Sequence, residues 1–436
     1  MIKNFLVKFF KNQSGQSLME IIIGLSIGAI LIGTASFGVA FTLRSTTSNQ
    51  GLASASQMTQ GLLNNVQSFS NGNWQNIYGL SKSSSTQYFL NASGTSYISV
   101  QGQEGLIDND VTNGLVGEWK FDEDAVSTST TTYDATGNNN NGTLVNGTSR
   151  ASSTCKIANC ASFNATNSNY INVPSTSTLN FTTNGTFSIS VWVNPNTFST
   201  TWRRGIIRQE NYLTSGYRFG FGGTGQPLFW TTQSGGTLAL NGSVNLALNQ
   251  WNHLVVTYDN QQAYMYLNGT QIGGATGTYI AGSSPVRLGW VVSEYFSGLL
   301  DDARYYNRAL SASEVQQLFN TQAFTRYFYM EDVCRTDDSS GNIASSSSPC
   351  SGGNVDDPLT QKITAVTQWT AGGGTDQVNL SRYLTRWGNF SVRQTDWSGG
   401  SGQDGPIVNP DDKYSSSSNI TTNPLGSIQI QDLTQQ

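Results

Sequence analysis

Residues 251–269 read Trp-Asn-His-Leu-Val-Val-Thr-Tyr-Asp-Asn-Gln-Gln-Ala-Tyr-Met-Tyr-Leu-Asn-Gly. Leu254, Val256 and Tyr258 recur at every second position, and Ala263, Met265 and Leu267 do so again. Successive side chains of a strand point to opposite faces, so each run offers one apolar face. Asn268-Gly269 closes the second run with a dipeptide that tolerates the left-handed backbone of a tight turn. Further out, Phe187-Ser-Ile-Ser-Val-Trp-Val193 puts Phe187, Ile189, Val191 and Val193 on one face. From about Val111 to Gln322 the chain keeps this texture of short strands between Gly, Asn and Ser turns. The pattern predicts an all-β sandwich or jelly roll, whose two sheets bury each other without needing a helix. Ser311-Ala-Ser-Glu314 is a capping box and opens a short helix through Val315, Leu318 and Phe319.

The whole chain has 436 residues, room for two or three domains. Its 22 Lys+Arg and 27 Asp+Glu make only 11% charged residues, against about 25% in an average protein. A net charge of −5 argues against a nucleic-acid partner, whose phosphates call for a basic face. A single histidine leaves almost no material for His-based triads or His-ligated zinc. The cysteines form two local pairs, Cys155 with Cys160 and Cys334 with Cys350, without a C-x-x-C motif. Short disulfides formed outside the cytoplasm are the expectation; the competing reading is four buried thiols.

Five segments in order resemble the LamG-like/concanavalin A-like jelly-roll family over some 210 residues. They are GLVGEWKFDE (114–123), DATGNNNNGTL (134–144), FSISVWVNP (187–195), WNHLVVTYDNQQAYMYLNG (251–269) and FSGLLDDARYYNRALSASEV (296–315). The resemblance implies the fold and leaves the ligand open, because this fold hosts binders and glycosidases alike. Glycosidases of the fold carry three alternating acids on one strand. Here Glu118 and Asp122 share a parity that Glu123 does not, which disfavours catalysis, although a surface-anchored polysaccharide hydrolase stays as an alternative. His253 reads as a structural strand residue. Calcium is the one cofactor considered. Its candidate ligands are Asp134 and Asn138 in the DATGN turn, with Asp301 and Asp302 after Gly298. The competing readings are a turn-capping side chain for Asp134 and ion pairing near Arg304 for the other two. Trp202, Tyr212, Tyr217, Trp230, Trp290 and Tyr295 are aromatic candidates for a ligand surface, each equally readable as core.

The N-terminus carries a different signal. Lys3, Lys8 and Lys11 precede Gly15, and Gln16-Ser-Leu-Met-Glu20 leads into Ile21–Leu43, 23 residues without a charge. As a helix that run is ~35 Å long, enough to span a bilayer with the N-terminus inside. The arrangement resembles the class III signal of type IV pilins and pseudopilins, with their N-terminal methylation motif. That resemblance implies a leader at 1–15 removed by prepilin peptidase between Gly15 and Gln16. Glu20 then becomes the fifth mature residue, pairing with the freed amino terminus of a neighbouring subunit. A carboxylate at the edge of hydrocarbon needs such a partner. Gln16 departs from the usual Phe. Beyond the span, Leu52, Ala55, Thr59, Leu62, Val66 and Phe69 recur at helical spacing, so the pilin-like helix is expected over 16–70, ending at Asn71-Gly72-Asn73.

The pilin helix needs a sheet over its apolar face, and residues 71–111 hold too few strands to build one. Strand-like runs at 324–330, 362–369 and 378–384 are expected to complete it. The expected fold class is therefore an α+β pilin-like domain with a discontinuous β head, 71–111 and 323–395. The jelly roll is inserted between the halves at 112–322; the rival layout is a tandem of separate domains. Residues 396–436 read as a Gly/Ser/Asn-rich tail, with a last strand near Ile428, Ile430 and Leu433. The functional expectation is a minor pilin or pseudopilin-like subunit, anchored in the cytoplasmic membrane with its head outside. It would assemble with other pilin subunits and present an adhesin-like domain to an extracellular glycan or protein. A non-binding structural pseudopilin of a secretion or DNA-uptake machine is a further alternative.

Overall fold

A computed structural model describes residues 18–198, 204–211, 214–231, 238–291, 294–336, 342–347, 349–371, 374–386, 420–421 and 429–430, with most side chains of 18–48 outside the description. The leader 1–15, the pair Gly15/Gln16, the side chain of Glu20, Trp202, Tyr212 and most of the tail lie outside the described residues. The described pieces of the tail, Ile420–Thr421 and Gln429–Ile430, pair with each other.

Two eight-stranded antiparallel sheets form the sandwich. The first runs Thr270–Thr276, Gln262–Leu267, Asn252–Asp259, Phe187–Pro195, Gly298–Tyr306, Cys160–Phe163, Ser149–Ala151, with Leu115–Trp119 also on Gly298–Tyr306. The second runs Ala239–Asn241, Pro227–Thr231, Ser215–Phe221, Arg204–Asn211, Val286–Leu288, Tyr170–Val173, Gly142–Val145, Thr131–Thr132. The alternation read at 251–269 is realised: Leu254 faces Leu267 and Val256 faces Met265 across one hairpin. Their apolar face meets Ile207, Tyr217, Phe219 and Phe229 of the second sheet in one dry core. Phe187 lies near its middle, stacked on Phe181 at 4.5 Å and near Tyr258 at 5.2 Å. Burying each such side chain contributes about 1.5–3 kcal/mol.

The first sheet is covered on its outer face too, so its strands are buried on both sides. The helix Ala312–Asn320, opened by the expected capping box at Ser311 and Glu314, lays Val315 and Leu318 against Val255 and Tyr266. Phe319 stacks on Trp192 at 5.8 Å. His253 is buried beneath, 2.8 Å from Ser190 Oγ, and burial together with Arg304 and Lys156 pushes its pKa down to about 3. The imidazole is therefore a neutral packing group.

The long helix Leu18–Gly72 packs its C-terminal half under a separate seven-stranded sheet. In that sheet Ser96–Gln101 and Tyr88–Ser93 pair on to Ala323–Arg335, Val355–Ala371 and Gly374–Thr385, with Glu104–Ile107 and Ile343–Ser346 also on Ala323–Arg335. Leu62, Leu63 and Val66 of the helix meet Phe328, Met330, Ile363 and Ala365. Thr59 Oγ1 bonds Thr367 Oγ1 at 2.7 Å. Two positions depart from the expected helix face: Leu52 is exposed and Phe69 only half-buried, while Leu63 takes a core place. The expected span at about 21–43 is not shown. Among the described residues no helix is long and apolar enough to cross a membrane, and most side chains of that stretch are outside the description.

The chain leaves this sheet at Ile107 and returns at Ala323, and these two residues are direct cross-strand partners. Asp108 N–H donates to Gln322 C=O at 2.9 Å just beyond them. The sandwich is thus spliced between two adjacent strands whose ends already meet. Both cysteine pairs are bridged, Cys155–Cys160 in the sandwich and Cys334–Cys350 in the sheet over the helix.

Candidate functional site

Asp134 opens the Asp-Ala-Thr-Gly-Asn turn and is fully buried. Its Oδ1 accepts from Glu118 N–H, Thr136 N–H and Thr136 Oγ1 at 3.1, 3.0 and 2.8 Å, and its Oδ2 accepts from Asn140 N–H at 3.0 Å. Asn138 turns its amide nitrogen to Val116 C=O at 3.0 Å. A carboxylate holding four hydrogen bonds is the cap of its own turn, as short Asx side chains commonly are. Asp301 and Asp302 are engaged elsewhere. Asp301 Oδ2 accepts from the N–H groups of Lys156 and Ile157 at 3.1 and 2.9 Å, and Asp302 Oδ1 accepts from Arg304 Nε at 2.8 Å. Among the described residues no three acids, histidines or cysteines are grouped to hold a metal. The fit to a hard cation, which wants several unengaged oxygens, is poor at both places. With both Asp134 oxygens hydrogen-bonded and Asp302 paired to Arg304, the melting temperature is expected to be indifferent to millimolar calcium; a rise reversed by chelator would assign calcium to the sandwich.

Asp301 belongs instead to a buried ionic seam where the sandwich meets the sheet over the helix. Arg304, almost fully buried, bonds Asp302, pairs with Glu118 through its second terminal nitrogen at 2.9 Å, and reaches Asp110 with the first. Asp122 accepts from Gly105 N–H at 2.5 Å across the seam and from Asn159 N–H at 3.2 Å. Glu104 is held by Arg326, 2.5 Å away, and by Lys120 at 3.2 Å. A cavity of about 10 Å³, room for one water, lies among Lys120, Asp122, Asp301 and Arg304. Burial, and then the neighbouring Asp301 charge, raises the Asp122 carboxyl well above its ordinary range; burial chiefly raises Asp301, with Asp302 adding to it. Glu118 is pushed up to about 7 by burial. Apart from Asp110, these acids are buried and offer no bed for a substrate.

Strand parity does not carry through 118–123, because Phe121 has a left-handed backbone, φ 61°, that breaks the alternation. Asp122 consequently faces the seam, while Glu123 turns to Arg150 Nε at 3.0 Å.

The second sheet carries a different constellation on its outer face. Arg208 is the direct cross-strand partner of Arg218 on one side and of Arg287 on the other, so three guanidinium groups lie in a row across neighbouring strands. Glu210 pairs with Arg208 at 3.2 Å and Arg218 at 2.5 Å. Trp290 lies against the row, its ring centre 4.2 Å from Arg208 Cζ and 4.5 Å from Arg287 Cζ. It stacks on Tyr295 at 5.9 Å within the hairpin Trp290–Val291/Glu294–Tyr295. Gly205 is where this hairpin presses on the sheet, since a Cβ there would lie 1.9 Å from Val291. Of the aromatic candidates, Trp290 and Tyr295 come together here. Trp230 faces Arg218 one strand on, and Tyr217 is core, its hydroxyl donating to Tyr305 at 2.8 Å. No arginine stood out in the sequence. The signal is register, and it exists only once 204–211, 215–221 and 286–288 are aligned.

Residues 164–316 match the family model of the concanavalin A-like lectin/glucanases superfamily, Laminin_G_3, so the sandwich is a LamG-like jelly roll. No match is found among curated proteins. Among solved structures, domain 4 of AbnA, an extracellular arabinanase from Geobacillus stearothermophilus in complex with arabinotriose, is similar at 23% identity and TM-score 0.38, covering 47% of this chain and 98% of that one. The binding domain of Paraclostridial Mosquitocidal Protein 1 is similar at 15% identity and TM-score 0.41, over 62% and 75% of the two chains. Trypanosoma rangeli sialidase in complex with the inhibitor DANA is similar at 16% identity and TM-score 0.37, over 48% of this chain and 33% of the enzyme. None of these likenesses bears on ligand or chemistry.

Proposed function

We propose that the protein is a minor pilin or pseudopilin-like subunit that displays its LamG-like jelly roll as a binding domain for an extracellular glycan or protein. In this reading prepilin peptidase removes 1–15 and Ile21–Leu43 anchors the chain in the cytoplasmic membrane. Glu20 pairs with the new amino terminus of an adjacent subunit. The head then stands outside, on the membrane or on a filament, where disulfides persist.

The observation that carries the reading is the splice at Ile107/Ala323. Strands from both sides of the jelly roll cover one face of the long helix, and the insert leaves and rejoins between two paired strands. That is what a helix-and-sheet carrier holding a separate cargo requires. Binding is favoured over hydrolysis because Asp122 and Asp301, acids whose pKa values burial raises, are sealed in the seam. A hydrolase needs two accessible carboxyl groups facing each other across the scissile bond.

Deleting 112–322 and joining the flanking strands by a short turn tests the assignment of roles. Assembly with partner subunits should persist while adhesion to glycan or matrix protein is lost. Unchanged adhesion would reduce the insert to a spacer.

A further inference from the structure

The arginine row has more positive charge than its own strands compensate. Like charges directly opposite on neighbouring strands destabilise a sheet. Here three are in register, with one buried carboxylate, Glu210, shared by Arg208 and Arg218. Arg287 makes no ion pair among the described residues. Its Nε donates to Asn172 Oδ1 at 3.4 Å and its guanidinium lies on Trp290. Glu294, on the hairpin above, is the other acid nearby and forms no ion pair among the described residues. Burial, offset by Glu210 but reinforced by Arg287 and Arg218, depresses the pKa of Arg208. The cations are not free to swing apart, because Trp290 pins two of them by cation–π contact. The row is open to solvent at its two ends: the Arg218 side chain is 20% exposed and Arg287 is partly exposed, as are Trp290 and Tyr295, while Arg208 between them is buried.

We propose that this outer face of the second sheet binds an acidic polysaccharide, whose carboxylate or sulfate groups meet Arg287 and Arg218 at the two ends of the row, with buried Arg208 adding its charge between them. Strands are ~4.8 Å apart, so the row spans ~10 Å, the length of a polymer segment and too long for one small anion. Guanidinium groups held as a rigid fork suit planar, two-oxygen anions. A net charge of −5 over the chain favours a glycan over nucleic acid, which needs a broader basic surface. The proposal rests on the binding role assigned to the jelly roll and adds the ligand class and its place.

The test uses the full chain in detergent, run in affinity gels containing polygalacturonate, heparin, neutral arabinan or single-stranded DNA. Retardation by polygalacturonate or heparin, weakened by salt, is expected, and the two gels separate carboxylate from sulfate recognition. Arg287→Gln should weaken retardation about tenfold with little change in melting temperature. Arg287→Lys should restore part of it, and Arg382→Gln, on the strand Gly374–Thr385, should leave it intact. Retardation unaltered by Arg287→Gln, none by either polyanion, or tighter retention by DNA would overturn the proposal. Retention by neutral arabinan alone would overturn it while leaving the binding role standing; no retention in any gel would tell against both.

Discussion

Arg304→Leu is expected to cost about 3–5 kcal/mol of stability, the range for breaking a buried ion pair from one side. Among the described residues, Arg304 is the cation that pairs with Asp302, Glu118 and Asp110 together in the seam. Leucine fills similar space but leaves three carboxyl groups facing one another, with Lys120 as the nearest cation and already engaged by Glu104. At ~2–4 °C per kcal/mol for a domain of this size, the melting temperature should fall by roughly 6–20 °C. Because Asp110 lies on the connection between head and insert, 108–113 should also become a preferred site of proteolysis. Arg304→Lys keeps the charge and loses the fork, so its loss should be intermediate. A fall below ~2 °C for Arg304→Leu would show that the seam is held by packing alone.

The same seam should make the protein less stable as pH rises from the ordinary carboxyl range to the raised values of its acids. Asp122 and Asp301 have folded-state pKa values raised above those of the unfolded chain, so the folded protein binds more protons than the unfolded one across that interval. Stability then falls with rising pH, starting near the ordinary carboxyl range and continuing to the raised values. Glu118, at about 7, adds to the fall between about 4.5 and 7. His253 acts oppositely. Its depressed pKa of about 3 means that the unfolded chain takes up the proton first on acidification, so stability is lost between about 6.5 and 3. The two effects oppose below 6.5; above it the raised carboxyl groups act without opposition from His253. Thermal unfolding followed upward from pH 6.5 should show a declining melting temperature as Glu118, at about 7, and the raised aspartates lose their protons. Asp301→Asn should be more stable than the parent at pH 8, because the amide oxygen can still accept from Lys156 and Ile157 while the like charge facing Asp122 is gone. Equal slopes for parent and variant would place the proton elsewhere.

The sandwich was legible because its strands bury one face each, and alternation such as Leu254/Val256/Tyr258 records that directly. The double burial of Phe187–Pro195 is harder to see in sequence: Ser188 and Ser190 alternate with the apolar residues as solvent-facing positions do, yet Ser188 Oγ donates to Arg308 C=O and accepts from Leu310 N–H, and Ser190 meets His253. Small hydroxyls satisfied by a covering segment look the same in sequence as small hydroxyls facing water. Asp134 was legible as a turn cap and as a metal ligand alike, and only its four donors separate these. The seam and the arginine row depend on residues distant in sequence meeting in space, such as Asp110 with Arg304 and Arg208 with Arg287, and Phe121's left-handed backbone erased the parity that bears on Asp122.

The claim on which the display role depends is that the chain is a processed, helix-anchored subunit. Intact-mass analysis with N-terminal peptide mapping of protein from native membranes tests it directly. The account predicts a mature chain beginning at Gln16, and a Gly15→Ala variant that keeps all fifteen leader residues. A native chain still beginning at Met1, or a variant processed as the parent is, would contradict it.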